Sequence, residues 1–336
     1  MKSGFQMDTD SNRRLTLKQT KQAALNVLQY YNVEWNEIHF IQVSEHVTFR
    51  IQCGEGDSFL LRIHPGNKAH SEVSSELEWL AHLRGKGLIV PEGVRNQSGE
   101  FITVTTMTDD ADAGPYYATL MRWIEGERLT KWALTEDHIR TMAALMADLH
   151  GASVDFVPSS TFTRTVWGSE SFNRDWVHLQ QHYAHFITEK AFPLYTAAAA
   201  KVADQLQTVT TDAQNYGVIH ADLHSGNIVF KDEQPFAIDF GRSGFGYHIY
   251  DMAQTIMGLQ PHQRKLYFDS YVKVRPLCDN AIPMLECFFI MSIIEAYSFH
   301  AENSLETEGL IEEQSYAQAI LRAYLNGEPF LFQTFD

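Results

Sequence analysis

Residues 218–230, VIHADLHSGNIVF, place His220, Asp222, His224 and Asn227 within eight positions, and Asp239 follows at the end of FAID. Two chemistries compete for these side chains. A zinc site would draw on His220, Asp222 and His224, because imidazole nitrogen and carboxylate oxygen suit that ion. A harder cation such as Mg²⁺ would take oxygen donors, and Asn227 and Asp239 offer them. The spacing favours the second. Between Asn227 and Asp239 the apolar triplets IVF and FAI flank the polar segment KDEQP, a β-hairpin pattern. Symmetric pairing about residue 233 sets Asn227 beside Asp239, with Asp222 on the loop entering the hairpin. The zinc reading leaves Asn227 and the hairpin unused, and makes this a metallohydrolase only at their expense.

An aspartate facing an acceptor, with an asparagine and a second aspartate on a cation, meets the needs of phosphoryl transfer. The order His-x-Asp-x-x-x-x-Asn, then Asp-Phe-Gly, follows the catalytic and metal-binding loops of protein kinases. HADLHSGN together with IDFGRSGFGYHIYDMA resembles more closely the aminoglycoside phosphotransferase and choline kinase-like family, which includes homoserine kinase-like and bacterial Ser/Thr kinase-like members. The resemblance covers roughly residues 38–300, dense at 218–252 and thin at 152–215. It implies a two-lobe α+β protein kinase-like fold, a small antiparallel-sheet N-lobe and a larger helical C-lobe, with ATP between them. Mg²⁺ would lie on Asn227 and Asp239, and Asp222 would orient the acceptor hydroxyl. His220 would brace the catalytic loop, and Asp251, in YHIYDMA, would hold it through hydrogen bonds because a buried carboxylate needs partners.

The first lobe must then supply a cation on a strand and a helix carboxylate. In DSFLLRIHPG the alternation Leu60, Arg62, His64 puts Arg62 on one strand face, and Glu72 and Glu76 in the next helix are both possible partners. The resemblance selects Glu76, which heads ELEWLAHLRGKGLIVP. Arginine in place of the kinase lysine stays charged and can bind phosphate through two nitrogens. No GxGxxG occurs; VSEHVTFRI stands where the phosphate-covering loop belongs, so Ser44, His46 and nearby amides are its candidates, against a plain β-turn. ATLMRWIEGERL resembles the hinge, with Met121 behind adenine and the backbone of Arg122 and Ile124 along its edge; Trp123 is open between a hinge role and ordinary core.

These groups need elements to hold them. Residues 1–14 are polar and expected to fray, 15–123 read as the nucleotide-binding lobe, and 124–336 as the lobe with the catalytic loop and acceptor-binding helices. A helix is expected over TLKQTKQAALNVLQYY, strands over IHFIQVSEHVTFRIQ and SFLLRIH, and a helix over HSEVSSELEWLAHLRGKG with Val73, Leu77, Leu80 and Leu83 on one face. TEDHIRTMAALMADLHGAS opens on a capping pattern at Thr135, and the helical segment WVHLQQHYAHFITEKAFPLYTAAAAK breaks near Pro193.

Composition limits the rest. A net charge of −16 disfavours nucleic acid and is compatible with a cationic substrate or with solubility alone. The 3 cysteines fit no CxxC pattern and suggest a reducing, cytoplasmic setting. MLECFFIMSIIEAYSFH is interrupted by Glu286 and Glu295 and reads as a buried helix, so no membrane partner is expected. The expected acceptor is a small hydroxylated molecule (aminoglycoside, homoserine, choline or sugar-like), with Trp167, Phe172, Trp176, Tyr183 and Tyr195 able to box an amine or to serve as core. A Ser/Thr protein kinase and a non-catalytic nucleotide-binding protein are the alternatives. ATP against GTP and the oligomeric state stay open.

Overall fold

The computed structural model describes residues 5, 9–54, 56–107 and 115–334. It contains two compact units: Met1–Glu125 with Val157–Arg164, and Gly126–Phe156 with Thr165–Asp336. The expected boundary near residue 123 lies close to the first break. The return of Val157–Arg164 to the first unit was not expected. Its cause is local: Ser159 donates from N–H and hydroxyl to the Glu78 carboxylate at 2.7 Å each, and Thr163 N–H donates to Ser75 Oγ at 2.8 Å.

In the first unit, α1 (Asp10–Leu28) precedes β1 (Trp35–Val43), β2 (Val47–Cys53), β3 (Ser58–Ile63), α2 (His70–Gly85), β4 (Ile102–Thr105) and β5 (Tyr116–Arg122). The helix starts at Asp10, inside the stretch expected to fray, with the Thr9 hydroxyl accepting Asn12 N–H at 3.1 Å; residues 1–4 and 6–8 lie outside the described residues. The strands form one antiparallel sheet in the order β1-β2-β3-β5-β4. Alternate strand residues, Val47, Phe49, Ile51, Leu61, Ile63 and Leu120, pack with Ala24, Val27 and Leu28 of α1. On α2 the expected apolar face is buried, and Glu76 lies on it. A carboxylate on that face must be paired.

The second unit is mostly helical. It runs α3 (Glu136–Val154), α4 (Ser169–His182), α5 (Phe192–Leu206), β6 (Tyr216–Ile219), β7 (Ile228–Lys231), β8 (Gln234–Ala237), β9 (Gly244–Tyr247), α6 (His248–Met257), α7 (Pro261–Val274), α8 (Ala281–His300), α9 (Thr307–Glu312) and α10 (Gln314–Asn326). The cap of α3 is a true box with an imidazole in the usual carboxylate role. Thr135 Oγ1 accepts His138 N–H at 3.2 Å, and His138 Nδ1 accepts Thr135 N–H at 3.1 Å. The expected break near Pro193 falls between α4 and α5, and Pro193 lies in the first turn of α5, where a proline has no hydrogen bond to lose. Helix α8 is long and apolar enough to cross a membrane, yet Phe288, Phe289, Ile290, Met291 and Ile294 are buried within this unit.

The candidate active site

Asp222 sits on a loop whose backbone is tied to α6. Asp251 is fully buried, and its two carboxylate oxygens accept His220 N–H at 2.9 Å and Ala221 N–H at 2.7 Å. One turn later, Thr255 Oγ1 donates to Leu223 O at 2.6 Å. Helix α6 therefore grips the chain on both sides of Asp222. The grip has work to do, because Ala221 is held at φ 62°, a left-handed conformation that costs a non-glycine residue about 1–2 kcal/mol. Burial pushes the Asp251 carboxyl up, and His220 with the two amide donors offsets part of that rise. His150 of α3, also fully buried, places Nε2 3.3 Å from Asp251 and Nδ1 2.7 Å from the Tyr271 hydroxyl.

After Asp222 the chain makes one short helical turn and enters the β7–β8 hairpin. Asn227 Nδ2 donates to the Asp222 main-chain oxygen at 2.9 Å and to its carboxylate at 3.1 Å. The amide is thus fixed by its nitrogen, leaving its oxygen as the ligand atom it can give a cation. The hairpin register corrects the expectation by one residue. Ile228 pairs with Ala237 and Lys231 with Gln234, and Ile238 N–H donates to Asn227 O at 2.9 Å. The neighbour of Asn227 is therefore residue 238. Asp232 and Glu233, at φ 49° and 64°, make a two-residue turn of the kind that needs two positive φ angles. Asp239 lies one residue beyond, in left-handed backbone at φ 62°, ψ 63°, where the strand ends and a short turn through Phe240 begins.

The histidines do not form the zinc set. His220 Nε2 lies 3.0 Å from Ile238 O, and its ring packs on Phe240. His224 approaches Asp222 only to 4.0 Å. Among the described residues, the one cluster with ligand atoms mutually in reach of a metal lies elsewhere, at His178, His182 and Glu302.

The profile of the APH phosphotransferase enzyme family matches residues 39–277. The chain belongs to that family. Amicoumacin kinase of Bacillus subtilis (strain 168) is 20% identical over 225 residues, covering 66% of this chain and 63% of the relative, so the chain spans just under two thirds of that relative's length. Homoserine kinase of Bradyrhizobium sp. (strain ORS 278) is 24% identical, with 72% of each covered. Among solved structures, a microcompartment-associated aminopropanol kinase superposes with a TM-score of 0.77 at 23% identity, covering 93% of this chain and 99% of the other. Amicoumacin kinase hAmiN, in complex with AMP-PNP and Ca²⁺, superposes with a TM-score of 0.76 at 15% identity, covering 96% and 98%. The fold is thus the kinase-like two-lobe fold of the APH phosphotransferases, and the chain is a member of that phosphotransferase enzyme family.

In the first unit of this APH-family chain, Arg62 and Glu76 meet. Nη1 lies 2.6 Å from Oε1, and both side chains are 3% exposed. Burial alone would raise the Glu76 carboxyl, but Arg62 and Arg164 outweigh it and hold it low. Arg164, which also donates to Glu72 O at 3.1 Å, was missed in the sequence because 152–215 carries little motif signal. Glu72 caps α2, accepting Ala69 N–H at 2.9 Å, which removes it as the rival partner of Arg62.

Three expectations for the nucleotide loop and hinge need correction. The His46 ring is buried edge-on against His64, 4.8 Å between centroids, and burial holds its pKa well below the ordinary imidazole range, so its side chain is core. Ser44 is exposed, but its N–H is committed to His46 O at 3.0 Å, leaving the hydroxyl. Arg122 N–H is committed to Glu92 O at 2.8 Å, so its backbone could read an adenine edge only through the carbonyl. Met121 is buried on β5, and Ile124 is half-buried just beyond it.

The aromatic set divides. Trp167, Phe172 and Tyr195 are core, while Trp176 and Tyr183 are half-buried and stack on Phe192 at 5.7 Å and 3.7 Å. Trp167 already faces a cation of its own chain, the Arg242 guanidinium at 4.5 Å.

Proposed function

We propose that this protein transfers the γ-phosphoryl group of ATP to a hydroxyl of a small molecule, of the aminoglycoside, homoserine, choline or sugar-like kind. The observation that carries the reading is the doubly bonded Asn227 amide, which locks Asp222 and Asn227 into one rigid loop. Asp222, part-exposed beside that amide, is the group that orients and deprotonates the acceptor hydroxyl. Its carboxylate keeps its acceptor role while the oxygen of Asn227 and the carboxylate of Asp239 form an all-oxygen donor set suited to Mg²⁺. When bound, such an ion neutralises charge on the phosphates. Arg62, fixed by Glu76, is the cation for the nucleotide phosphates in the first unit, with the Ser44 hydroxyl, Met121, the Arg122 carbonyl and Ile124 as the remaining nucleotide contacts. Asp251 and His220 support the loop without reacting. A protein acceptor is the weaker reading, because the named relatives are an amicoumacin kinase and a homoserine kinase. The cytoplasm fits this reading, with free cysteines and a supply of ATP.

The test is ATP consumption over a panel of hydroxylated amines, sugars and a generic Ser/Thr peptide, with Asp239→Ala alongside. Turnover with one small-molecule class, abolished in a folded Asp239→Ala variant that has lost Mg²⁺-dependent ATP binding, is expected. Phosphorylation of the peptide alone would overturn the acceptor assignment.

A further inference from the structure

His178, His182 and Glu302 form a second constellation, which the phosphotransfer chemistry does not use. His178 and His182 stand one turn apart on α4 and so share a helix face, with ring centroids 4.7 Å apart. Glu302 follows the end of α8, and its Oε2 lies 3.4 Å from His178 Nε2. One ligand atom from each of the three residues lies within 4.8 Å of the others.

A simple ion pair accounts poorly for this arrangement. The 3.4 Å separation is long for a charge-assisted hydrogen bond, which closes to about 2.7–2.9 Å. That one separation equals the edge of a zinc tetrahedron, where ligands about 2.0–2.1 Å from the metal sit about 3.4 Å apart, and the set as a whole, within 4.8 Å, would close on the ion. His178 is also oriented as a metal ligand should be. Its Nδ1 is 3.2 Å from the hydroxyl of buried Ser298, which turns Nε2 toward Glu302. The second histidine is half-buried at the helix end.

We propose that His178, His182 and Glu302 bind one zinc-class divalent ion, which clips α4 to the end of α8. Two imidazoles and a carboxylate select Zn²⁺ or Co²⁺ over Mg²⁺, whose preferred donors are all oxygen. Three protein ligands leave a fourth position for water. The site is independent of the Asn227–Asp239 pair and of the phosphotransfer assignment.

The experiment strips the full chain with chelator, adds Zn²⁺ in the presence of excess Mg²⁺, and counts zinc retained after gel filtration. One equivalent per chain is expected, with a raised melting temperature, and Co²⁺ in its place should give the visible absorption of a tetrahedral ion. His182→Ala should lose the equivalent and the thermal shift while keeping the metal-free melting temperature. Ser298→Ala should weaken zinc by about 10–100-fold, as for a residue that orients a ligand. Asp239→Ala should retain the ion. No zinc retained over Mg²⁺, an equivalent that survives His182→Ala, or one lost in Asp239→Ala would each overturn the proposal.

Discussion

The Arg62–Glu76 pair and the Asp222 loop carry charge in opposite ways. Arg62 and Glu76 are each 3% exposed, so the charge itself is buried and its partner is what makes that tolerable. Asp222 is part-exposed, and the buried carboxylate in its region is Asp251, which bonds the two residues before Asp222. In the first unit, the proposed function and the stability share the same atoms. In the second they are divided between Asp222, the proposed reacting group, and Asp251, which holds its loop. Substitutions should expose this division.

The largest stability loss is expected at Arg62→Ala. It takes from Glu76 its 2.6 Å partner and leaves the charge of Arg164 nearby, so the loss is at most about 3–5 kcal/mol, the cost of breaking a buried pair. Denaturant unfolding should show that loss together with a raised KM for ATP. A change in KM alone would mean that water reaches Glu76 and that the pair is not the closed unit seen here.

Asp251→Ala comes next. It removes the acceptor of two buried amides, each worth about 1–3 kcal/mol when left unsatisfied, and releases Ala221 from its left-handed backbone. Stability and turnover should fall together, although Asp251 touches no reactant. Wild-type turnover in a destabilised Asp251→Ala variant would show that Asp222 does not depend on α6 for its position.

A smaller effect is expected in the pH profile. Glu295 of α8 accepts from the Tyr250 hydroxyl at 2.7 Å, and burial pushes its carboxyl from 4.5 up to about 8. Between those values the folded protein keeps a proton that the unfolded chain releases, so stability should decline as pH rises through that window. Glu295→Gln removes the titrating group. Its melting temperature should fall less steeply than wild type between pH 5 and about 8; parallel profiles would place the ionised form in the folded protein.

The same contrast explains what the sequence could disclose. The Asp222–Asn227–Asp239 spacing was legible because all three lie on one continuous loop and hairpin, where local turn chemistry fixes the geometry. Even there the register was off by one, since KDEQP does not announce that Asp232 and Glu233 both take positive φ. The Arg62–Glu76 pair was legible as two alternatives, and only the capping role of Glu72 separates them. Arg164 and His150 were invisible. Each reaches its partners across long sequence separations, Arg164 beside Glu76 and His150 on Asp251, and neither sits in a local pattern that predicts such contact. His46 failed for a related reason: a polar residue in a loop sequence is buried by the histidine across the strand pair.

The proposed function rests most on Asp222 as the group that serves the acceptor rather than the nucleotide. Asp222→Asn retains an oxygen to accept the Asn227 amide, so the loop should keep its shape while losing the base. The decisive measurement is kcat on this variant, taken with ATP affinity by calorimetry and melting temperature on the same preparation. A fall in kcat of about 10²–10⁴-fold is expected, with ATP affinity and melting temperature near wild type. An unchanged kcat, or a loss of ATP affinity and stability in step with activity, would contradict it.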